Sequence, residues 1–230
     1  MLKSGAEQLG IILNAHQLSQ FAQYYDLLSE YNRRFNLTRI IQKNDVIIKH
    51  FLDSLTAAAY IPQNAKVADV GTGAGFPGIP LKIARPDIEL TLIDSLKKRV
   101  DFLEIVSEAL FSSSIRCVHA RAEDIGKLPE YREGFDVSLS RAVSKMNIIA
   151  EYSLPLVKIG GYMLAMKGRD IEGELRDSQD TITALGGETA SSVLHTLPHS
   201  EITHSVIIIH KKRKTPARFP RNNKHIGKPI

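Results

Sequence analysis

Three glycines within five residues, with one carboxylate just before them and another about twenty residues later, are the part of this sequence best suited to chemistry. In Asp69-Val70-Gly71-Thr72-Gly73-Ala74-Gly75-Phe76-Pro77-Gly78-Ile79-Pro80, the missing Cβ atoms at Gly71, Gly73 and Gly75 let the backbone turn sharply and approach a ligand. Pro77 and Pro80 suit the first turn of a helix. Asp94 then ends the apolar run Leu90-Thr91-Leu92-Ile93, where a carboxylate accepts the hydroxyls of a bound ribose. Two ligand classes fit. Gly73-Ala74-Gly75-Phe76-Pro77-Gly78 matches the G-x-G-x-x-G fingerprint of dinucleotide enzymes, with Asp94 at the required distance. Asp69 favours the other class: its charge would repel a pyrophosphate but suits the amino group and sulfonium of S-adenosylmethionine.

Other residues carry weaker signals, each with a plain structural alternative. Arg141 follows an expected strand at the carboxyl edge of the sheet, where its guanidinium can hold phosphate, position a base, or simply form an ion pair. His50 and Asp53 share one helical face, as a proton relay or as packing and capping groups. Lys97, Lys98 and Arg99 open a helix, where the dipole disfavours cations, so they meet RNA phosphate or are simply solvated. Lys167 ends a strand and faces either RNA or water. Tyr25, Tyr31 and Phe35 read as core more readily than as base-stacking groups.

The elements that must position these groups follow from periodicity. Leu18, Phe21, Ala22, Tyr25, Leu28, Tyr31 and Phe35 form a helical stripe, and a second helix is expected from an Asn44 cap through Leu55, so residues 1–60 read as all-helical. Beyond Pro62, strands at 66–70, 89–94, 115–119, 137–140, 162–167 and 205–211 alternate with helices near 78–84 and 97–110. Such alternation implies parallel βαβ units and a doubly wound α/β sheet.

Composition sets the outer limits. The 230 residues are 43% hydrophobic and 24% charged, in the range of a folded globular chain. The longest apolar stretches, such as 206–209, are far below the roughly 18 residues of a membrane span. Met1-Leu2-Lys3-Ser4 lacks a signal-peptide core, and the single Cys117 supplies neither an internal disulfide nor a metal site, so a cytoplasmic protein without metal is expected. The net charge of +5 is uneven: residues 211–230 hold eight Lys or Arg and no acid. With Pro216, Pro220 and Pro229, that stretch reads as an extended basic tail with Arg218, Arg221, Lys224 and Lys228 as RNA-backbone candidates, or else as a segment packed on the domain through Phe219 and Ile226.

With these residues in view, the chain closely resembles the bacterial small-subunit ribosomal RNA guanine-N7 methyltransferases, also called the glucose-inhibited division protein B family. The resemblance rests on Tyr31-Asn32-Arg33-Arg34-Phe35-Asn36-Leu37-Thr38, His50-Phe51-Leu52-Asp53-Ser54-Leu55, the glycine loop and Asp94-Ser95-Leu96-Lys97-Lys98-Arg99. It continues through Arg121-Ala122-Glu123, Ser140-Arg141-Ala142-Val143, Gly160-Gly161, Lys167-Gly168, Phe219-Pro220-Arg221 and Lys228-Pro229. Tyr31 stands where the family more often has Trp. The resemblance implies a class I S-adenosylmethionine-dependent methyltransferase fold with an N-terminal helical cap (1–60), a catalytic domain (61–212) and a basic tail (213–230). It also implies methyl transfer to guanine N7 in the 530 loop of 16S rRNA, on naked rRNA or the small ribosomal subunit, by a monomer. Cofactor contacts carry over to Gly71, Phe76, Asp94, Ala122, Glu123 and Arg141, beside the Asp69 and Gly73 expected from the loop itself.

The remaining residues agree with that chemistry by what they lack. Methylation at cytosine C5 needs a cysteine nucleophile, and Cys117 sits inside an expected strand. Exocyclic amines are usually served by an Asp/Asn-Pro-Pro-aromatic loop, where this chain has Ser140-Arg141-Ala142-Val143. Guanine N7 already carries an in-plane lone pair, so in-line attack needs alignment and no general base. A dinucleotide oxidoreductase and an RNA-binding module without catalysis remain the rival readings.

Overall fold

Short apolar runs become strands and the amphipathic stretches between them become covering helices, as the alternation predicts. The computed structural model describes residues 1–142, 144–228 and 230. Val143 and Pro229, both within the strings quoted above, lie outside the described residues. Among the described residues, β1 (Lys66–Val70), β2 (Glu89–Asp94), β3 (Arg116–His119), β4 (Phe135–Arg141), β5 (Val157–Gly168), β6 (Gly187–Thr196) and β7 (Thr203–Lys211) form one sheet in the order β3-β2-β1-β4-β5-β7-β6. The first five strands are parallel, and β7 runs antiparallel to both β5 and β6. Chain order reverses between β1 and β4, the position where open α/β sheets leave a crevice at the carboxyl ends of their strands.

The helices are α1 (Leu2–Gln8), α2 (Ala15–Phe35), α3 (Lys43–Val46), α4 (Asp53–Leu55), α5 (Gly78–Ala84), α6 (Lys97–Phe111), α7 (Ala122–Ile125), α8 (Met146–Ser153) and α9 (Glu172–Ala184). Helix α2 starts three residues before the expected Leu18 because Asn14 and Gln17 form a reciprocal capping box. Gln17 also donates through Nε2 to the Ile83 carbonyl at 2.8 Å, tying α2 to the end of α5. At its other end Asn36 adopts a left-handed cap with φ 48°. Between α3 and α4 the chain stays helical but widens into a π-helical stretch, Ile47–Leu52, which periodicity alone did not reveal. That widening is a common mark of a functional site.

Phe21, Tyr24, Leu28 and Phe51 of the helical region share one core with Val67, Leu92 and Leu139 of the sheet. The expected boundary at residue 60 is therefore a change of secondary structure inside a single packing unit. Strand β6 was not anticipated. It is an edge strand with mostly polar residues and a bulge between Thr189 and Ser191, features that blunt an exposed edge and erase the alternating pattern. Strand β5 runs past Gly160-Gly161, where a Cβ on Gly161 would lie 2.4 Å from the Asp136 carbonyl oxygen, so β4 and β5 need glycine to approach.

The tail is not the extended arm that its prolines suggest. Thr215 and Phe219 are buried, and Arg132 donates to the carbonyls of Thr215 and Phe219, each at 2.8 Å. Lys211, fully buried, donates to the carbonyls of Leu154 and Val157 and to Thr215 Oγ1, 3.3 Å from Glu133. Backbone carbonyls around the end of the sheet thus take basic side chains as structural donors.

Candidate active site

The glycine loop leaves β1 as a series of backbone hydrogen bonds to its neighbours. Gly71 and Thr72 both donate to the Ile93 carbonyl, at 2.9 and 3.2 Å. Gly71 and Gly73 have φ values of 72° and 62°, in the left-handed region that a side chain makes costly. Gly73 N donates to Asp94 Oδ2 and Leu96 N to Asp94 Oδ1, both at 2.9 Å, and Arg99 Nη1 lies 3.2 Å from the same carboxylate. A Cβ on Gly73 would meet no protein atom within 4 Å, so the loop turns its bare backbone toward open space. From behind, the Tyr24 hydroxyl holds the Ala74 carbonyl at 2.6 Å.

Two cavities meet over this turn, sharing Gly71, Asp94 and Ser95. One extends between Ile93, Ala122, Glu123 and Tyr152. The other extends past Gly73 and Phe76 to Thr38, His50, Arg99 and Arg141. Together they form one crevice at the carboxyl ends of β1, β2 and β4, walled on its outer side by the N-terminal helical region.

That outer wall is an ordered polar network. Arg141 Nη1 lies 2.6 Å from Asp53 Oδ2, and its Nη2 lies 3.1 Å from His50 Nδ1. His50 Nε2 lies 3.0 Å from Thr38 Oγ1, and the imidazole stacks on Phe76 with centroids 4.3 Å apart. The Arg141 guanidinium sits over the same Phe76 ring. Burial, then the adjacent Arg141 charge, lowers the His50 pKa to about 4, so the ring is neutral at physiological pH. Burial alone would raise the Asp53 pKa, but hydrogen bonding by His204 and the charge of Arg141 outweigh it and the value falls. His204 Nδ1 lies 2.6 Å from Asp53 Oδ1, which continues the network into β7.

Gly71, Gly73, Phe76, Asp94, Ala122, Glu123 and Arg141 are thus brought to one crevice, as the sequence leads one to expect. Asp69 is not. It is fully buried beneath the loop, where Oδ2 accepts Thr72 Oγ1 at 2.7 Å and Gly78 N at 2.8 Å, so it shapes the turn from inside. Burial also raises its pKa to about 6, against those hydrogen bonds. Arg141 does not point a free guanidinium at phosphate, because Asp53 and His50 occupy it.

The basic candidates divide in the same way. Lys97 and Lys98 are exposed, Lys97 pairing with Asp101 and Lys98 donating to the Phe35 carbonyl, whereas Arg99 turns back to Asp94. Lys167 is largely covered, held by Glu174 and the Ser144 carbonyl. Arg221 is engaged by the fully buried Glu151 through several hydrogen bonds. Arg218, Lys224 and Lys228 are exposed. Thr38, Thr72 and Ser95, together with Tyr152 on α8, also belong to the crevice and are not singled out by sequence, because a lone hydroxyl carries no spacing signal. Among the described residues, no cluster of His, Cys, Asp and Glu is placed to hold a metal ion, and no helix is long and apolar enough to cross a membrane.

Solved structures share this architecture. A SAM-dependent methyltransferase from Aquifex aeolicus superposes with TM-score 0.55 at 15% identity, covering 76% of this chain and 96% of that one. A 16S rRNA (adenine(1408)-N(1))-methyltransferase from Catenulisporales acidiphilia gives 0.51 at 17%, covering 71% and 92%. Such low identities establish the fold alone. Sequence relatives go further. The ribosomal RNA small subunit methyltransferase G of Alkaliphilus oremlandii is 48% identical over 231 residues, 100% of this chain and 95% of that protein. Its counterpart in Thermoanaerobacter pseudethanolicus is 48% identical over 223 residues, 96% and 93% of the two chains. The family's own sequence profile covers residues 17–203, from the capping box of α2 to the start of β7. Agreement along that whole span, helical wall included, means that the chain belongs to the rRNA small subunit methyltransferase G family.

Proposed function

We propose that this chain methylates guanine N7 in the 530 loop of 16S rRNA, with S-adenosylmethionine as donor and the rRNA or small ribosomal subunit as substrate. The observation that carries this reading is a single crevice with nucleoside-binding chemistry at one end and no available base at the other. The cofactor fits the residues present. Gly73, Leu96 and Arg99 leave Asp94 acceptor room on Oδ1 for a ribose hydroxyl, and the space over Gly73 is bare. Ala122, Glu123, Ile93 and Tyr152 supply a half-apolar wall for an adenine. When bound, S-adenosylmethionine supplies an electrophilic methyl on a positively charged sulfur.

What the chain itself does is hold, align and manage charge. Asp53 neutralises Arg141, so the guanidinium stiffens the wall without opposing a cationic cofactor or the cationic N7-methylguanine product. His50 cannot take a proton through Nδ1, which already accepts from Arg141. Guanine N7 needs no base, so this arrangement costs nothing in rate. Around the Thr38 side, Arg33, Arg34, Arg39 and Lys43 are exposed beside Lys97 and Lys98, a basic rim that suits RNA phosphates. The reading includes action as a monomer in the cytoplasm.

The test is methyl transfer from labelled S-adenosylmethionine to small subunits from cells lacking this protein, followed by chemical cleavage at N7-methylguanine. One cleavage in the 530 loop is expected. Methylation of another atom or position, or binding of NAD in place of S-adenosylhomocysteine, refutes the reading.

A further inference from the structure

We propose that the Thr38 hydroxyl is the hydrogen-bond donor that recognises O6 of the target guanine. The inference rests on guanine N7 being the acceptor and assigns a specificity residue to that reaction. Its basis is a chain of donors whose direction follows from the contact of Arg141 with His50 Nδ1. A guanidinium can only donate, so Arg141 Nη2, 3.1 Å from His50 Nδ1, requires a lone pair on that nitrogen. The proton of the neutral imidazole therefore resides on Nε2, which donates to Thr38 Oγ1 at 3.0 Å. The Ile40 backbone N–H donates to the same oxygen at 3.1 Å. Both lone pairs of Oγ1 are then used, and the hydroxyl hydrogen is left to donate elsewhere. No hydrogen bond among the described residues uses it.

Thr38 lines the same crevice as His50, Arg141 and Gly71 to Ala74 and Phe76 of the glycine loop. A donor of fixed polarity there matches one purine edge. Guanine presents N7 and O6, both acceptors, whereas adenine presents N7 beside an N6 amino donor. N7 must stay free of hydrogen bonds to attack, so O6 is the neighbouring atom by which this edge can be held. Against adenine the same hydroxyl would face N–H groups, and Arg141 prevents the chain from reversing. Thr38 touches substrate in this scheme and takes no part in proton transfer.

An atom-level cycle tests the proposal. Small subunits are reconstituted on 16S rRNA carrying guanosine, or 2-aminopurine ribonucleoside without O6, at the methylated position. They are assayed with wild type, Thr38→Val and Thr38→Ser. Wild type should lose about tenfold in kcat/KM when O6 is absent, and Thr38→Val should lose about tenfold on guanosine. On the analogue Thr38→Val should be no slower than wild type, since both changes remove the same hydrogen bond. Altered N7 reactivity in the analogue affects both enzymes equally and cancels. Thr38→Ser should restore the guanosine rate. Additive losses near a hundredfold would overturn the proposal, as would weakened S-adenosylhomocysteine binding in Thr38→Val, which would assign the hydroxyl to the cofactor. If wild type makes no N7-methylguanine on the guanosine substrate, the proposed function fails instead, independently of Thr38.

Discussion

Arg141 Nη1 stands 2.6 Å from Asp53 Oδ2, an ion pair that joins the carboxyl end of β4 to the first residue of α4, directly after the π-helical segment. Both side chains are mostly covered, with relative exposures of 12% and 14%. Removing either leaves a poorly solvated charge without its main partner. Arg141→Ala and Asp53→Ala should therefore each cost about 3 kcal/mol in urea unfolding. The double variant should cost clearly less than their sum, because the second removal relieves an unpaired charge. Strict additivity would show that the pair is an accidental neighbour pair with no mutual stabilisation.

Neighbouring glycines should separate binding from folding. A Cβ on Gly73 meets open space at a φ of 62°, so Gly73→Ala should lose only about 1 kcal/mol of stability from backbone strain. The new methyl projects toward the cofactor side, and affinity for S-adenosylhomocysteine should fall sharply in calorimetric titration. Gly75→Ala reverses the outcome: its Cβ would lie 2.6 Å from Ile79 and 2.8 Å from the Tyr24 hydroxyl, so stability falls first. Asp94→Ala removes a charged acceptor and should weaken cofactor binding by roughly 2–4 kcal/mol. Unchanged affinity in a folded Asp94 variant would move the ribose site elsewhere.

Local spacing carried most of the crevice in advance. Gly71, Gly73, Asp94 and the two strands that carry them are legible because a nucleoside site needs a turn without Cβ atoms and a carboxylate at the end of a following strand. Asp69 shows the limit of that reasoning. A strand-end acid beside a loop looks the same in sequence whether it faces the ligand or lies beneath the turn, and only the loop's path puts Thr72 and Gly78 on its carboxylate. Lys167 and Arg221 fail for a related reason: their partners, Glu174 and Glu151, are brought to them by tertiary packing. The Thr38–His50–Arg141 line spans three separate segments, so no single motif could reveal it.

Rate and pH should be nearly uncoupled around neutrality. With His50 held neutral down to about pH 4 and its Nδ1 occupied, that imidazole gains no base strength between pH 6.5 and 8.5. Single-turnover methyl transfer should stay flat across that range. A tenfold rise per pH unit, lost on replacement of His50, would establish a general base.

Stability should depend on pH through two opposed groups. The His50 pKa is lowered from 6.5 to about 4, so its contribution is fully present above 6.5 and is lost as pH falls through 4. The Asp69 pKa is raised from 3.8 to about 6, so its contribution is present below 3.8 and is lost as pH rises through 6. Relative to His50→Gln, wild type should gain stability from pH 4 to 6.5. Relative to Asp69→Asn, it should lose stability from pH 3.8 to 6. Urea midpoints at half-unit intervals check both slopes, and slopes of the same sign would contradict this assignment.

The basic tail should divide into structural and RNA-facing cations. Arg221 engages the fully buried Glu151, and Phe219 beside it is buried, so Arg221→Ala strands a carboxylate in the core. That variant should lose about 3 kcal/mol of stability, with any loss of RNA affinity following from misfolding. Arg218, Lys224 and Lys228 are exposed, and their joint replacement by Ala should leave the urea midpoint nearly unchanged. If these three meet phosphate, each contact contributes about 0.7 to 0.9 to the slope of log affinity against log salt, and the triple variant should flatten that slope while cofactor affinity holds. If the slope is unaltered, the RNA track runs instead over the exposed cations at the end of α2 and the start of α6. Replacing Arg33, Arg34, Lys97 and Lys98 by Ala should then produce the flattening that the tail variant did not.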